Sequence, residues 1–280
     1  MNDKNNNNLK KHLAGIFSRA APTYGRVGFS FFHHFGKQLV EFTDIPKKAK
    51  ILDVASGRGA ILFPALKKVG PQGSVIGIDL AEGMIEKTTE EIIKSDFSNA
   101  NMMLMDAENL KFQDNTFDIA LYGFCIFFFP QYEIALNEAY RVLKPYGRIG
   151  LSTFYRNPYY EIKWLDDLIE KYLPKDKEKN KQEEAPEGPE FDTIEGMQKI
   201  LIKAGYKDVD NKIEEKEFIC KNAEELWKFL WSTGYREAME RINSENLEKL
   251  KEELTKNFHK YSLEDGLHCK FKVLFTLGSK

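Results

Sequence analysis

Cysteine is scarce in this chain, with three in 280 residues. Cys125, Cys220 and Cys269 are far apart and fit neither a CxxC nor a zinc-ligand spacing. That excludes a disulfide framework and a structural zinc site, and no metal is expected. An excess of one charge is also missing: 41 basic residues face 43 acidic ones. The chain therefore carries no electrostatic footprint for nucleic acid. Long hydrophobic runs are absent too. The longest, around Phe124 to Phe129, is far too short to span a bilayer, so no stable membrane insertion is expected. Met1 to Asn8 is polar and asparagine-rich, without the apolar core of a secretory leader. A soluble, cytoplasmic protein with a disordered residue 1–8 segment is the expectation. Apolar and aromatic residues are not scarce. At 42% and 13% they suffice for a sizeable core in one large domain, or one domain with a cap.

Leu9, Leu13, Ile16, Phe17 and Ala20 recur at helical spacing, and Pro22 ends that helix. A second, phenylalanine-rich helix is predicted over about 29–42. No strand signal precedes residue 49, so residues 1–48 read as a helical cap. Strands and helices then alternate. Strands are predicted at 50–54, 74–79, 101–105, 117–122 and 148–154, with a turn at Lys144 to Gly147. Helices are predicted after the first strand (with Pro64 near its first turns), at 81–94 and at 132–143. Alternation of this kind predicts a parallel sheet with right-handed crossovers and helices on both faces. Beyond it the rhythm breaks: a helix over 158–173, a Lys/Glu/Pro loop over 174–190, and a helix to Gly205 opened by a capping box of Asp192 and Glu195. A strand at 209–220, two amphipathic helices in 222–260 and a last strand at 269–277 complete the chain.

Four features fall at successive strand ends. Asp53-x-x-x-Gly57-x-Gly59 is a glycine turn that lets a ligand approach bare backbone at a helix N-terminus. Alone it is a weak signal, equally a tight turn with no ligand, and Leu62 breaks the G-x-G-x-x-G pattern of dinucleotide sites. Asp79 ends the second strand, 20 residues past Gly59, where a carboxylate suits the two hydroxyls of a ribose; it could equally cap the next helix. Asp106, at the end of the third strand, can accept from an adenine amine, or be a solvated loop acid. Gly123 ends the fourth strand and permits close approach to a ligand. Together the four are far more specific than any one, because ligands in open parallel sheets sit outside the strands' carboxyl ends.

Residues 49–154 resemble the class I S-adenosylmethionine-dependent methyltransferases, and most closely the small-molecule branch typified by the ubiquinone and menaquinone biosynthesis (UbiE-type) enzymes. ILDVASGRGA stands at the glycine motif, GIDLAEGMIEKTTE at the acidic loop, MDAENLKFQDNTFDIALYGF through the fourth strand, and RVLKPYGRIGLSTF at the fifth. The earlier segment Phe17 to Tyr24 resembles the F-x-x-x-A-x-x-Y stretch that folds over the cofactor. The resemblance implies a Rossmann-like α/β fold: a mainly parallel seven-stranded sheet, helices on both faces, an antiparallel last strand and a helical cap. It implies S-adenosylmethionine as cofactor. Ala55, Gly57, Arg58 and Gly59 would lie along its methionine part, Asp79 on the ribose, and Leu80 and Met84 beside the adenosine. Asp106 and Ala107 would read the adenine, Gly123 and Phe124 would lie near the sulfonium, and Tyr24 would close the site. Two positions depart from the pattern. Gly25 follows Tyr24 where Asp is usual, and Arg58 replaces a small or hydroxyl residue. The expected organisation is a cap over 1–48, a cofactor-binding core over 49–154, and a C-terminal half over 155–280 with cap insertions at 158–192 and 222–262.

Methyl transfer from a sulfonium is an in-line displacement that mainly needs alignment and exclusion of water. A base is required only if the nucleophile must lose a proton. The candidates are His33, His34 and Tyr24, and none is fixed by spacing. Rings at Phe29, Phe31, Phe32, Phe35, Phe127, Phe128, Phe129, Trp227, Trp231 and Tyr235 point to a small, apolar, aromatic or prenylated acceptor, although cap packing must account for most of them. Two other readings stay open: an NAD-dependent oxidoreductase, and a non-catalytic S-adenosylmethionine-binding module. Tyr122-Gly123-Phe124-Cys125 is unlike the Asn-Pro-Pro-Tyr stretch of enzymes that methylate a flipped base. The oligomeric state is not legible.

Overall fold

The computed structural model describes residues 3–95, 97–156, 162–174 and 189–280. Its frame is one seven-stranded sheet. The strands are β1 (Lys50–Val54), β2 (Ser74–Asp79), β3 (Ala100–Leu104), β4 (Phe117–Gly123), β5 (Leu143–Phe154), β6 (Lys207–Cys220) and β7 (Leu267–Ser279). Their order is β3-β2-β1-β4-β5-β7-β6, and β7 runs antiparallel to both neighbours. The chain steps outward from β1 to β3, then returns to β4 on the other side of β1. The strand order thus reverses between β1 and β4, where open sheets of this kind hold their ligands.

Strand sequence explains the layers. Within β4, Ile119 and Leu121 join one core cluster while Ala120 and Tyr122 join the other. A parallel strand buried on both faces reads as a continuous apolar run for this reason. One layer carries α2 (Phe31–Phe42) and α3 (Leu62–Val69); the other carries α5 (Tyr132–Val142) and α7 (Ile194–Lys203). Pro64 is the third residue of α3, where its missing N–H costs no helical bond. α4 (Glu82–Lys94) lies beside β3. A cap of α6 (Lys163–Tyr172), α8 (Ala223–Trp231), α9 (Arg236–Arg241) and α10 (Ser244–Tyr261) extends the first layer. Among the described residues, no helix is long and apolar enough to cross a membrane.

Four expectations need correction. The first helix, α1, spans Asp3–Ala20, so the 1–8 segment is helical from Asp3 onward. Asparagine is a poor helix former, but Asn6 and Ile16 are buried against the body, and tertiary packing outweighs propensity. The N-cap of α7 is Thr193, whose hydroxyl accepts from the Gly196 N–H at 3.0 Å, and Asp192 takes no part in the cap. Residues 222–260 form three helices rather than two, because the chain breaks at Ser232 to Tyr235. The turn at Lys144 to Gly147 is present, but as a bulge within β5, with Tyr146 at φ 64°. The helix predicted over 158–173 is described from Ile162 onward, and 175–188 of the predicted loop lie outside the described residues.

Candidate active site

β1 delivers its glycine turn to the reversal point. Gly57 and Gly59 adopt φ of 53° and 74°, a left-handed conformation that favours glycine. Ala55 and Phe124, which are not glycines, also stand at φ 51°. Non-glycine residues held there carry strain, and such strain gathers at functional sites. Gly123 has a second reason to be glycine: a Cβ there would lie 2.5 Å from Ile61 Cδ1.

The half-buried Asp79 ties two strand ends together. One carboxylate oxygen accepts from the Gly57 N–H and the other from the Ala81 N–H, each at 2.9 Å. It therefore fixes the glycine turn and opens α4, and each oxygen keeps a lone pair for a ligand. Withdrawal from water pushes its pKa up, partly offset by these backbone donors. Asp53 is fully buried. Its Oδ2 accepts from Ser56 Oγ at 2.6 Å, and among the described residues its Oδ1 has no hydrogen-bond partner. Burial raises its pKa to about 7, against the opposing hydrogen bond from Ser56. A buried carboxylate oxygen without a donor suits a cationic ligand.

One cavity runs along these strand ends. Tyr24, Ala55, Gly57, Asp79, Leu80, Met84, Asp106, Ala107, Gly123 and Phe124 all line it. Arg58 and Asp53 line an adjoining compartment with Ser152 and His33. Gly59 lies in neither wall; its Cβ position points at Phe63. The Arg58 guanidinium turns to the cap, donating to the carbonyl of Ala21 and pairing with Glu91. Asp106 is engaged from above by Lys10 of α1, at 2.7 Å, and Lys10 also pairs with Glu108. Burial opposes the Lys10 charge, but the two carboxylates outweigh it and raise its pKa.

A second cavity, of about 490 Å³, opens beyond Tyr24 and Phe124, two side chains that line the first cavity as well. Its walls are mostly rings: Phe31 and Phe32 of α2, Phe127 and Phe128 after β4, Phe154, and Phe229 and Tyr235 of the cap. Phe29 and Phe35 are core residues, Phe129 faces the first cavity, and Trp227 and Trp231 pack on each other at 6.3 Å. Five of the ten expected rings (Phe31, Phe32, Phe127, Phe128 and Tyr235) thus converge on this cavity, and the other five do not line it.

Of the candidate bases, Tyr24 lines this cavity, whereas His33 and His34 do not. His34 bonds Glu214 at 2.7 Å, away from both cavities. His33 lies in the Arg58 compartment. Partial desolvation and then the Arg26 charge hold its pKa below the ordinary value. Tyr24 stacks on Phe32 with centroids 4.9 Å apart. Desolvation, then the nearby Asp79, pushes its pKa up, so its hydroxyl keeps its proton. The sequence marks Asp53 as part of the glycine motif and Phe17 as the head of the segment expected to fold over the cofactor, without showing what either side chain meets. Lys10 and Ser152 carry no such signal of their own, and both line these compartments.

A sequence profile of the ubiE/COQ5 methyltransferase family matches residues 6–221. The chain belongs to that family. It is an S-adenosylmethionine-dependent methyltransferase of small molecules. The methyltransferase is 26% identical to nocamycin O-methyltransferase of Saccharothrix syringae over 94% of its own length and 96% of that chain. It is 32% identical to demethylmenaquinone methyltransferase of Staphylococcus carnosus, over 72% and 88% of the two chains. Identity to aklanonic acid methyltransferase of Streptomyces sp. strain C5 reaches 38%, over 51% of this chain and 66% of the relative. Among solved structures, the fold matches the YcgJ protein of Bacillus subtilis with TM-score 0.56 at 18% identity, covering 88% and 98% of the chains. It also matches phosphoethanolamine N-methyltransferase 2 of Haemonchus contortus in complex with S-adenosyl-L-methionine, with TM-score 0.53 at 17% identity, covering 88% and 52%.

Proposed function

We propose that the methyltransferase acts on a compact aromatic acceptor that carries an acidic hydroxyl, enol or carboxyl group. The observation that carries this reading is the ring-lined cavity that meets the donor site at Tyr24 and Phe124. Rings offer a large apolar surface to a planar molecule, and their faces favour a nearby sulfonium. The donor supplies a methyl group on positively charged sulfur, and the carbon–sulfur bond breaks as the acceptor bond forms in line with it.

In this reading Asp79 accepts from the ribose hydroxyls, and Asp106 and Ala107 meet the adenine. Leu80 and Met84 flank the adenosine. Ala55, Gly57 and Gly59 shape the backbone around the methionine part. The free oxygen of Asp53 takes the ammonium group. Arg58 serves the cap rather than the ligand. Tyr24 closes the site, and Gly123 and Phe124 bound the reacting centre. Residues 1–48 form the cap over the 49–154 core, and 155–280 complete the sheet and supply the cap insertions. The enzyme works in the cytoplasm.

The acidic acceptor follows from what lines the second cavity. Its described ionisable groups are Tyr24, Tyr235, Glu237 and Arg241. Tyr24 holds its proton, Tyr235 donates to Asp166 at 2.8 Å, Glu237 is 3.3 Å from His12, and Arg241 has an interaction of its own. With these groups engaged, the chain's contribution is alignment and exclusion of water. A nucleophile that ionises by itself then suits the site.

The test has two arms. Calorimetry should show binding of S-adenosylhomocysteine and none of NAD. An acceptor screen should show transfer to naphthols, hydroxyquinones or aromatic carboxylic acids, and none to alkylamines or nucleic acid. Methylation of polar amines alone would overturn the acceptor class while leaving the donor intact.

A further inference from the structure

Helix α1 is a wall of both cavities. Lys10, Leu13, Ala14 and Phe17 face the donor, and Phe17 also faces the acceptor cavity. The helix is held on two sides. Toward the core, Lys10 pairs with Asp106, and Ser18 Oγ accepts from the Gly83 N–H at 3.2 Å. Toward the cap, Arg19 makes a two-pronged contact with Glu240 of α9: Nε to Oε1 at 2.8 Å and Nη2 to Oε2 at 2.5 Å. Glu240 also accepts from Arg236 at 3.1 Å, and Arg236 donates to the Trp231 carbonyl at 2.8 Å. The line runs from α1 through α9 to the end of α8. α9 contributes Glu237, Ala238 and Arg241 to the acceptor cavity, and no described residue of α8 to α10 lines the donor cavity.

We infer that Arg19 and Glu240 are positioning residues that couple the two sites. The side chains are 51% and 26% exposed, so as a static pair they add little stability. Their forked geometry, however, fixes the direction of α9 relative to α1. With α1 seated, the strand ends are covered by Lys10, Leu13 and Phe17. A donor in that cavity rests against Lys10, Leu13, Ala14 and Phe17 and holds α1 in place. α1 in turn holds Phe17 in the wall of the second cavity and, through Arg19, fixes α9. The acceptor cavity is therefore complete when the donor is in place. The coupling rests on the donor-site assignment made above.

Hydrogen–deuterium exchange of the full chain, with and without saturating S-adenosylhomocysteine, tests it. In the wild type the ligand should slow exchange in α1, and also in α9 by about fivefold or more, the lower end of ordinary site-to-site coupling. Arg19→Ala should keep the protection of α1 and lose that of α9, while Arg19→Lys should retain most of it. Protection of α9 that survives in Arg19→Ala, or that never appears in the wild type while α1 is protected, would overturn the coupling. Absence of protection in α1 itself would sink the donor-site assignment, and the coupling with it.

Discussion

The donor half and the acceptor half of this molecule are built differently. The first cavity and its adjoining compartment, assigned above to the donor, take their chemical groups from strand ends in the parallel part of the sheet: Asp53 near the end of β1 and Gly57 just beyond it, Asp79 as the last residue of β2, Asp106 just after β3, and Gly123 as the last residue of β4. Each sits at the end of a short apolar run, so its place is set by a pattern of a few residues. The acceptor cavity draws on α1, α2, the β4 and β5 ends and the cap helices, from Phe17 to Arg241. It carries its surface in rings whose roles are interchangeable with core packing until the chain folds. The comparison teaches that a ligand common to many proteins is held by backbone and carboxylates in a fixed frame. A ligand particular to one protein is held by side chains on elements that can be moved without disturbing that frame.

The largest effect should come from breaking the donor half at Asp79. Asp79→Ala removes a charged acceptor that also fixes the Gly57 and Ala81 amides. Charged hydrogen bonds are worth about 1.5–3 kcal/mol each, so affinity for S-adenosylhomocysteine should fall about a hundredfold or more by calorimetry. Unchanged affinity refutes the ribose assignment. Dye binding in the aromatic cavity should survive, which separates the two halves.

A pH series sharpens the donor half further. The Asp53 pKa is raised from 3.8 to about 7 in the folded protein. Between those values the native state holds a proton that the unfolded chain has released. Stability should therefore be highest below about pH 4 as far as this group is concerned, and should fall as pH rises to about 7. Ligand affinity should run the opposite way. If the ammonium needs the ionised carboxylate, the dissociation constant should drop about tenfold per pH unit up to about 7 and then level off. Asp53→Asn should flatten both curves, measured by chemical unfolding and calorimetry; a wild-type affinity flat from pH 5 to about 8 would count against the ammonium contact.

The acceptor half is probed alone at Phe127, which lines that cavity and not the donor cavity. Phe127→Ala removes an edge contact with Phe128 and a stacked one with Phe154. Binding of anilinonaphthalene sulfonate, an aromatic acid followed by its fluorescence, should weaken roughly fivefold, in line with about 1 kcal/mol for a ring contact. Affinity for S-adenosylhomocysteine should stay within about twofold of wild type. Equal losses at both sites would mean that the halves are not separable there.

The smallest effect lies outside both halves. Tyr146 is 93% exposed at φ 64°, on the β5 bulge. Tyr146→Gly relieves a left-handed conformation at the cost of a more flexible unfolded chain, and should stabilise by less than about 1 kcal/mol in chemical unfolding. Neither cavity should respond.

The limits of sequence reading follow the same division. β2 was legible to the residue, Ser74–Asp79, because a continuous apolar run ended in a carboxylate. The helical course of residues 3–8 is not legible because asparagine propensity is local, whereas Asn6 is buried only in the folded chain and the partner of Lys10, one turn on, lies about a hundred positions away. Asp192 and Thr193 compete for one cap, and composition alone does not decide which hydroxyl or carboxylate meets the Gly196 N–H. Arg58 looked like a ligand by its place in the motif. Its length let it reach past the cavity to the Ala21 carbonyl and Glu91.

By itself the sequence determined the sheet, the helices that cover it, and the donor, because strand periodicity and glycine conformations are properties of a few neighbouring residues. The tertiary structure decided which rings line the second cavity, that one oxygen of Asp53 lacks a donor among the described residues, that His33 and His34 stand outside both cavities, and that α1 touches both. Those facts depend on side chains brought together from distant parts of the chain, and burial and direction at such meetings exist only once the chain has closed on itself.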